Sequence, residues 1–134
     1  MPLFTGLEQI VKTDEPLSRH TWLGIGGAAQ YYIEPRSVEQ LAEVVARCVD
    51  NSVPIHVLGG GANLLVSDAG VSGAVVRLKG EQFSSVNYAD GLLRVGAAAD
   101  MGRLVLQTVR DGLSGLEALT GIPGTVGGCV KMNA

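Results

Sequence analysis

Cysteine is scarce in this 134-residue chain, charge is never concentrated, and no long apolar segment occurs. Each absence removes a class of protein. Cys48 and Cys129 are the only cysteines and stand 81 positions apart, which fits neither a disulfide framework nor a metal-ligand or redox spacing. No metal site is expected. The ten Lys and Arg are scattered without a run, and the formal net charge is -3. A basic face for nucleic acid is therefore not expected. The N-terminus, MPLFTGLEQIVKTDEPLS, lacks a basic start followed by an apolar stretch, so neither a signal peptide nor a membrane span is read. The expected location is the cytoplasm. With 46% hydrophobic and 17% charged residues, the balance is that of a globular domain with one real core.

Glycine is what the chain has in excess, with 19 copies. They follow no period, which excludes collagen and low-complexity sequence. They cluster at 24–27, 59–61 and 121–128. Such clusters between apolar runs mark tight turns or backbone pressed against a ligand.

The pattern of elements reads as α+β. Residues 1–15 suggest a short helix through Leu7, Ile10 and Val11, ended by Pro16. Ala29 to Ile33 reads as a strand. Ser37 is a good N-cap, and Gln40 completes a capping-box pattern. Val38, Leu41, Val44, Val45, Cys48 and Val49 then form one apolar face, with Cys48 a buried thiol. Pro54 to Leu58 suits a buried strand, Leu64 to Val66 an extended run and Ala74 to Leu78 a further strand. Beyond residue 80, Phe83 to Tyr88 and Leu92 to Gly96 read as a hairpin turning at Ala89-Asp90-Gly91. Asp100 caps a second helix with Leu104, Val105 and Val109 on its apolar face, ended by Gly112. Leu116 to Leu119 makes one more turn, and GIPGTVGGCVKMNA reads as a loop. Two subdomains are expected, residues 1–80 and 81–134, the second incomplete because a packed domain rarely ends on a glycine-rich loop.

The three clusters differ in meaning. Residues 24–29 fit G-x-G-x-x-A, with Glu43 near the spacing of a ribose-binding acid. That fingerprint must leave a strand and open a helix, whereas these glycines enter a strand. A tight turn is the better reading. LGGGANLLVSD places Gly59, Gly60 and Gly61 directly after a strand, where successive N–H groups can form an anion nest; a hairpin or bulge is the alternative. Asn63 adds an amide for a phosphate or for the loop itself. In GIPGTVGGCVKMNA, Pro123 stiffens a segment whose glycines allow close approach to something flat or bulky. Ile122, Val126, Val130 and Met132 argue against a plain surface loop. Two glycine loops, one per subdomain, point to a ligand in the cleft between them.

These residues resemble a known family. LGGGANLLVSD is similar to the phosphate loop of the UDP-N-acetylenolpyruvoylglucosamine reductase (MurB) family, and GLSGLEALTGIPGTVGGCVKMNA resembles its second signature. His20-Thr21-Trp22 with Gly26-Gly27-Ala28 looks like its N-terminal element. The matches keep the family's order over residues 17–134. The resemblance implies an FAD-binding domain of the vanillyl-alcohol-oxidase type, in which two small α+β subdomains clasp FAD. It implies that Gly59, Gly60, Gly61, Ala62, Asn63 and Leu64 hold the pyrophosphate. It also implies that Gly121, Ile122, Pro123, Gly124, Thr125, Gly127, Gly128 and Asn133 line the flavin and its ribityl chain. Ala62 stands where the family usually has Ser, and Cys129 where Ala is common. In the family, NADPH reduces the flavin, which passes hydride to the enolpyruvyl group of a UDP-sugar, giving UDP-N-acetylmuramate for peptidoglycan. The family's catalytic arginine, proton donor and glutamate fall after the matched motifs. No catalytic residue is therefore expected among these 134, and the stretch alone is expected to hold FAD weakly or not at all and to be inactive. A flavin-free nucleotide- or partner-binding module and another flavoprotein oxidoreductase of the same fold are the alternatives. Against the latter, His20 and His56 are the only histidines, and neither sits in a covalent flavin attachment pattern.

Overall fold

The computed structural model describes residues 1–134. Four strands form one sheet: β1 (Val11–Pro16), β2 (Ala28–Ile33), β3 (Ile55–Val57) and β4 (Val71–Val76). Their spatial order is β1-β2-β4-β3. β1 runs antiparallel to β2, while β2 and β3 both lie parallel to β4. The chain crosses from β2 through helix α1 (Val38–Asp50) to β3, leaving a gap that β4 later fills. β3 thus becomes an edge strand, with the 59–61 glycines at its C-terminal end.

Side-chain alternation divides the core into two layers. Ile33, Ala74 and Val76 face α1, where they pack with Val44 and Cys48 and with Phe4, Leu7 and Ile10. Tyr32, Val75 and Ala29 face the other way, against Leu17, Leu58 and Val66 from the loops. α1 starts as expected: Ser37 Oγ accepts from the Gln40 N–H at 3.2 Å. The Gln40 side chain reaches back one residue further than a capping box does and accepts from the Arg36 N–H at 2.8 Å. Val44 and Cys48 are fully buried, but Val38, Val45 and Val49 are exposed, so the apolar face is narrower than the periodicity suggests.

The second part holds a single helical turn α2 (Glu81–Ser84), the hairpin β5 (Val86–Ala89) and β6 (Leu92–Val95), and helix α3 (Met101–Arg110). Asp90 and Gly91 both take positive φ, 53° and 76°, as a tight two-residue hairpin demands. Asp100 caps α3 by accepting from the Arg103 N–H at 2.8 Å. Met101, Leu104, Val105 and Cys129 form a separate core with Leu93, Val95, Ile122 and Val126 around it. Val109 is exposed and Thr108 takes the buried place, bonding the Val105 carbonyl at 2.8 Å.

Five further expectations are corrected. The N-terminal segment is a series of turns that then becomes β1, not a helix: Gly6 takes φ +88° and breaks the helical run. Phe4, Leu7 and Ile10 still point inward because consecutive turns repeat every three residues, which imitates a helical pattern. Residues 55–57 form an exposed edge strand, not a buried one, and only Leu58 of that run is buried. Residues 64–66 form no strand; Val66 alone turns into the core. Phe83 and Ser84 belong to α2 rather than to the hairpin. The last segment contains a short helix, α4 (Val126–Lys131), capped by Thr125 Oγ1. Gly127 and Gly128 hide this helix from propensity, since each glycine costs about 1 kcal/mol there. Gly127 fits for steric reasons: a Cβ on it would lie 3.0 Å from the Ala97 Cβ and carbonyl.

Ile33→Ala should lower unfolding free energy by about 2–5 kcal/mol, because it opens a cavity in the layer under α1. Val49→Ala, on the exposed side of the same helix, should change it by about 0.5 kcal/mol or less. Urea denaturation followed by circular dichroism measures both.

Candidate functional site

The two glycine loops meet. A Cβ at Gly60 would lie 3.0 Å from Gly124 Cα, and one at Gly59 2.9 Å from Thr125 Oγ1. A side chain at Gly60 would press on the Gly124 backbone, and one at Gly59 on the Thr125 hydroxyl. The loops reach each other because segment 97–101 carries the second one: Met101 N–H donates to Gly124 at 2.9 Å, Val126 N–H to Ala99 at 2.9 Å, and Gly127 N–H to Ala97 at 2.8 Å.

The first loop has an unusual hydrogen-bond state. No backbone N–H from Gly59 to Val66 donates to any acceptor in the chain. Only Gly61 and Val66 of this run are buried; the other donors are partly or fully open to solvent, so the run as a whole is available to an external acceptor. Gly61 is fixed in it from behind. It has φ +72°, and a Cβ there would collide with the His20 carbonyl. Its own carbonyl accepts from the Trp22 N–H at 2.9 Å. Gly60 does not take positive φ, so its intolerance of a side chain is purely steric.

A cavity of about 480 Å³ lies where the loops meet. Gly59 to Leu64 form one wall; Ile122, Pro123, Gly124, Thr125 and Gly128 form the other. Of the residues expected from the sequence, Gly127 lines an adjoining cavity of about 610 Å³ instead. Gly121 and Asn133 line neither; both hold positive φ, +83° and +55°, at the two ends of the second loop. Sequence reasoning missed Val57, Leu58, Cys129, Lys131, Met132 and Ala134 in the first cavity. It also missed Arg77 and Lys79 in the second. Lys131 could have been noticed, as the one charged residue after Glu117.

The charges that line the two cavities are all positive. Lys131 belongs to both, Arg77 and Lys79 to the second, and no acidic side chain lines either. This holds although the chain as a whole carries formal charge -3. Free N–H donors, cations and an otherwise apolar, glycine-lined wall suit an elongated anionic ligand with a flat apolar part. The 24–27 glycines belong to a turn that enters β2, as their context implied, and take no part in the cavity lining. His56 lies on the exposed edge strand, its Nε2 3.1 Å from the Ser72 carbonyl. The cysteines are free and buried, and burial pushes the Cys48 thiol pKa up, which makes it unreactive. No group of three metal-ligating side chains occurs. No helix is long and apolar enough to cross a membrane.

A domain of two α+β parts with paired glycine loops over an anion-ready cleft is of the flavin-nucleotide-binding class. The family described as FAD binding domain matches residues 29–134, and the chain belongs to it. FAD is its cofactor. The chain is 41% identical over 136 residues to a UDP-N-acetylenolpyruvoylglucosamine reductase of Desulfosudis oleivorans, covering 98% of this chain and 44% of that protein. It is 45% identical over 123 residues to the reductase of the same name from Rubrobacter xylanophilus, covering 92% and 41%. The crystal structure of the Thermus caldophilus reductase (MurB) superposes with a TM-score of 0.73 at 41% identity, covering 92% of this chain and 41% of that one. The chain thus spans about two fifths of the length of these relatives.

Gly61→Ala should be markedly more destabilising than Gly112→Ala, although both glycines have φ +72°. Nothing lies within 4 Å of a Cβ at Gly112, so that change should cost only the left-handed strain of about 1–2 kcal/mol. Gly61→Ala adds a collision with the His20 carbonyl. Equal losses in thermal unfolding would contradict the packing described.

Proposed function

We propose that this chain is the flavin-holding part of a UDP-N-acetylenolpyruvoylglucosamine reductase, the enzyme that makes UDP-N-acetylmuramate for peptidoglycan. The observation that carries the proposal is the run of free N–H groups from Gly59 to Val66 beside a cleft whose charged side chains are all cations. Gly59 to Leu64 would offer these donors to the pyrophosphate of FAD. Asn63 would add its amide, and Lys131 would balance charge from the opposite wall. Ile122, Pro123, Gly124, Thr125 and Gly128 would lie along the ribityl chain and flavin, with Gly127 allowing α4 to approach Ala97. Gly121 and Asn133 would shape the ends of that loop. The bound flavin would supply hydride chemistry, taking it from NADPH and delivering it to the enolpyruvyl group of the UDP-sugar. The residues of this chain would bind and orient the cofactor and exclude water from one side of it. The work is placed in the cytoplasm, where NADPH and UDP-sugars are found.

The two lobes described above support a division near residue 80. They have separate cores, and links between them include the bond from the Val38 N–H to Gln82 Oε1 at 2.9 Å. Part of the flavin clasp is proposed to lie in the remaining three fifths of a complete reductase. Equilibrium dialysis of the chain against FAD should therefore show weak binding, with Kd between about 1 μM and 1 mM. Gly60→Val should abolish it while leaving the circular dichroism spectrum unchanged, since the branched side chain wedges the two loops apart. Undiminished binding by a folded Gly60→Val would sink the placement of the pyrophosphate.

A further inference from the structure

The protein itself does little to join its two lobes. Past the turn at Gly80, where φ is +90°, one hydrogen bond crosses between them, from the Val38 N–H to Gln82 Oε1. No backbone hydrogen bond and no salt bridge crosses there. The apolar clusters are separate as well. What remains is the approach of Gly59 and Gly60 to Gly124 and Thr125.

The second cavity, of about 610 Å³, lies in this seam. One wall comes from the ends of β3 and β4, and the other from Ala97, Ala98 and the start and body of α4. Arg77 and Lys79 stand on the first wall and Lys131 on the second. Arg77 and Lys131 have no ion-pair partner, and Lys79 has only Glu34, at 3.8 Å. Cations around one cavity repel each other, and here the repulsion acts across the seam. Charge therefore pushes apart two lobes that little else holds together. The lining also carries unpaired donors: the backbone N–H groups of Gly59, Leu78, Ala97 and Thr125 meet no acceptor in the chain. Cations on both walls and free N–H groups between them complement a phosphate, whose oxygens accept from several donors at once.

We propose that this cavity is a second phosphate seat, in which Arg77 and Lys79 from one lobe and Lys131 from the other grip the same ribose-borne phosphate and so hold the lobes closed. The bound anion turns the repulsion across the seam into attraction on both sides of it. Closure of the cleft is then a consequence of ligand binding rather than a property of the empty chain. The seat itself does not depend on the flavin reading, but its two possible sources do. One is the ADP half of FAD, which would reach the seat past Gly59 and Thr125, since these line both cavities. The other is the 2′-phosphate of NADPH.

Nitrogen-15 amide NMR titrations of the chain with ADP, with adenosine 2′-phosphate and with adenosine, each carried to about 1 mM, test the seat. At least one of the two phosphates should shift the amides of Leu78, Lys79, Ala97 and Lys131, and adenosine should not. A response to ADP assigns the seat to the flavin cofactor, and a response to adenosine 2′-phosphate alone assigns it to the nicotinamide nucleotide. Replacing Arg77→Gln and Lys79→Gln together should remove these shifts, since each charge-assisted bond lost weakens binding about tenfold. Lys131→Gln, at the exposed end of α4, should weaken binding about tenfold and serves if the double variant does not fold. In small-angle X-ray scattering, the phosphate that binds should lower the radius of gyration of the chain, and should lower it less in Lys131→Gln. Shifts confined to Gly59 to Leu64, an equal response to adenosine, unchanged affinity in the variants or an unchanged radius of gyration overturns the proposal. If the seat behaves as expected while equilibrium dialysis finds no binding of FAD, the flavin reading fails and the seat stands. If FAD binds but neither phosphate shifts the seat amides, the flavin reading stands and the seat fails.

Discussion

The structure turns on backbone donors that the chain leaves unpaired. From Gly59 to Val66 the N–H groups meet no acceptor of their own, although Gly61 and Val66 are buried. An unpaired donor is costly where it is buried, as at those two residues, while the rest of the run is open to solvent and to a ligand. The loop is held in place from two sides. The His20 carbonyl and Trp22 N–H fix Gly61 from behind, and Gly124 and Thr125 stand against Gly59 and Gly60 in front. The loop can neither fold into regular structure nor collapse onto its partner.

Everything else positions that loop. Insertion of β4 between β2 and β3 puts β3 at the edge of the sheet and sends its C-terminal end into the cleft. Leu58 and Val66 anchor the two ends of the loop in the same core layer as Tyr32 and Val75. On the other side, segment 97–101 fastens the second glycine loop through backbone bonds rather than side chains. That arrangement explains the glycines there: two backbones must lie closer than side chains permit.

Much of this was legible in the sequence, for reasons that can be named. α1 and α3 announced themselves through Ser37 and Asp100, whose side chains do cap them, and through apolar spacing. Asp90-Gly91 marked the hairpin because the turn needs two residues with positive φ. The 24–27 glycines were set aside because they enter a strand, and they do. What misled was local imitation. Turns at Phe4, Leu7 and Ile10 repeat like a helix, and the apolar run at 55–57 suggested burial although strand order leaves it at the edge. α4 was hidden because its glycines serve the contact with Ala97 rather than helix propensity. The cationic lining by Arg77, Lys79 and Lys131 could not be read at all, since only the fold brings residues from two lobes to one cleft.

The most direct test of the account is a nitrogen-15 amide NMR titration of the chain with FAD, carried to about 1 mM because weak binding is expected. The largest shifts should fall on the amides of Gly59 to Leu64, with a second group at Ile122 to Gly128. Shifts concentrated elsewhere, such as on the exposed edge strand or the 86–95 hairpin, or a spectrum unchanged at about 1 mM FAD, would contradict it.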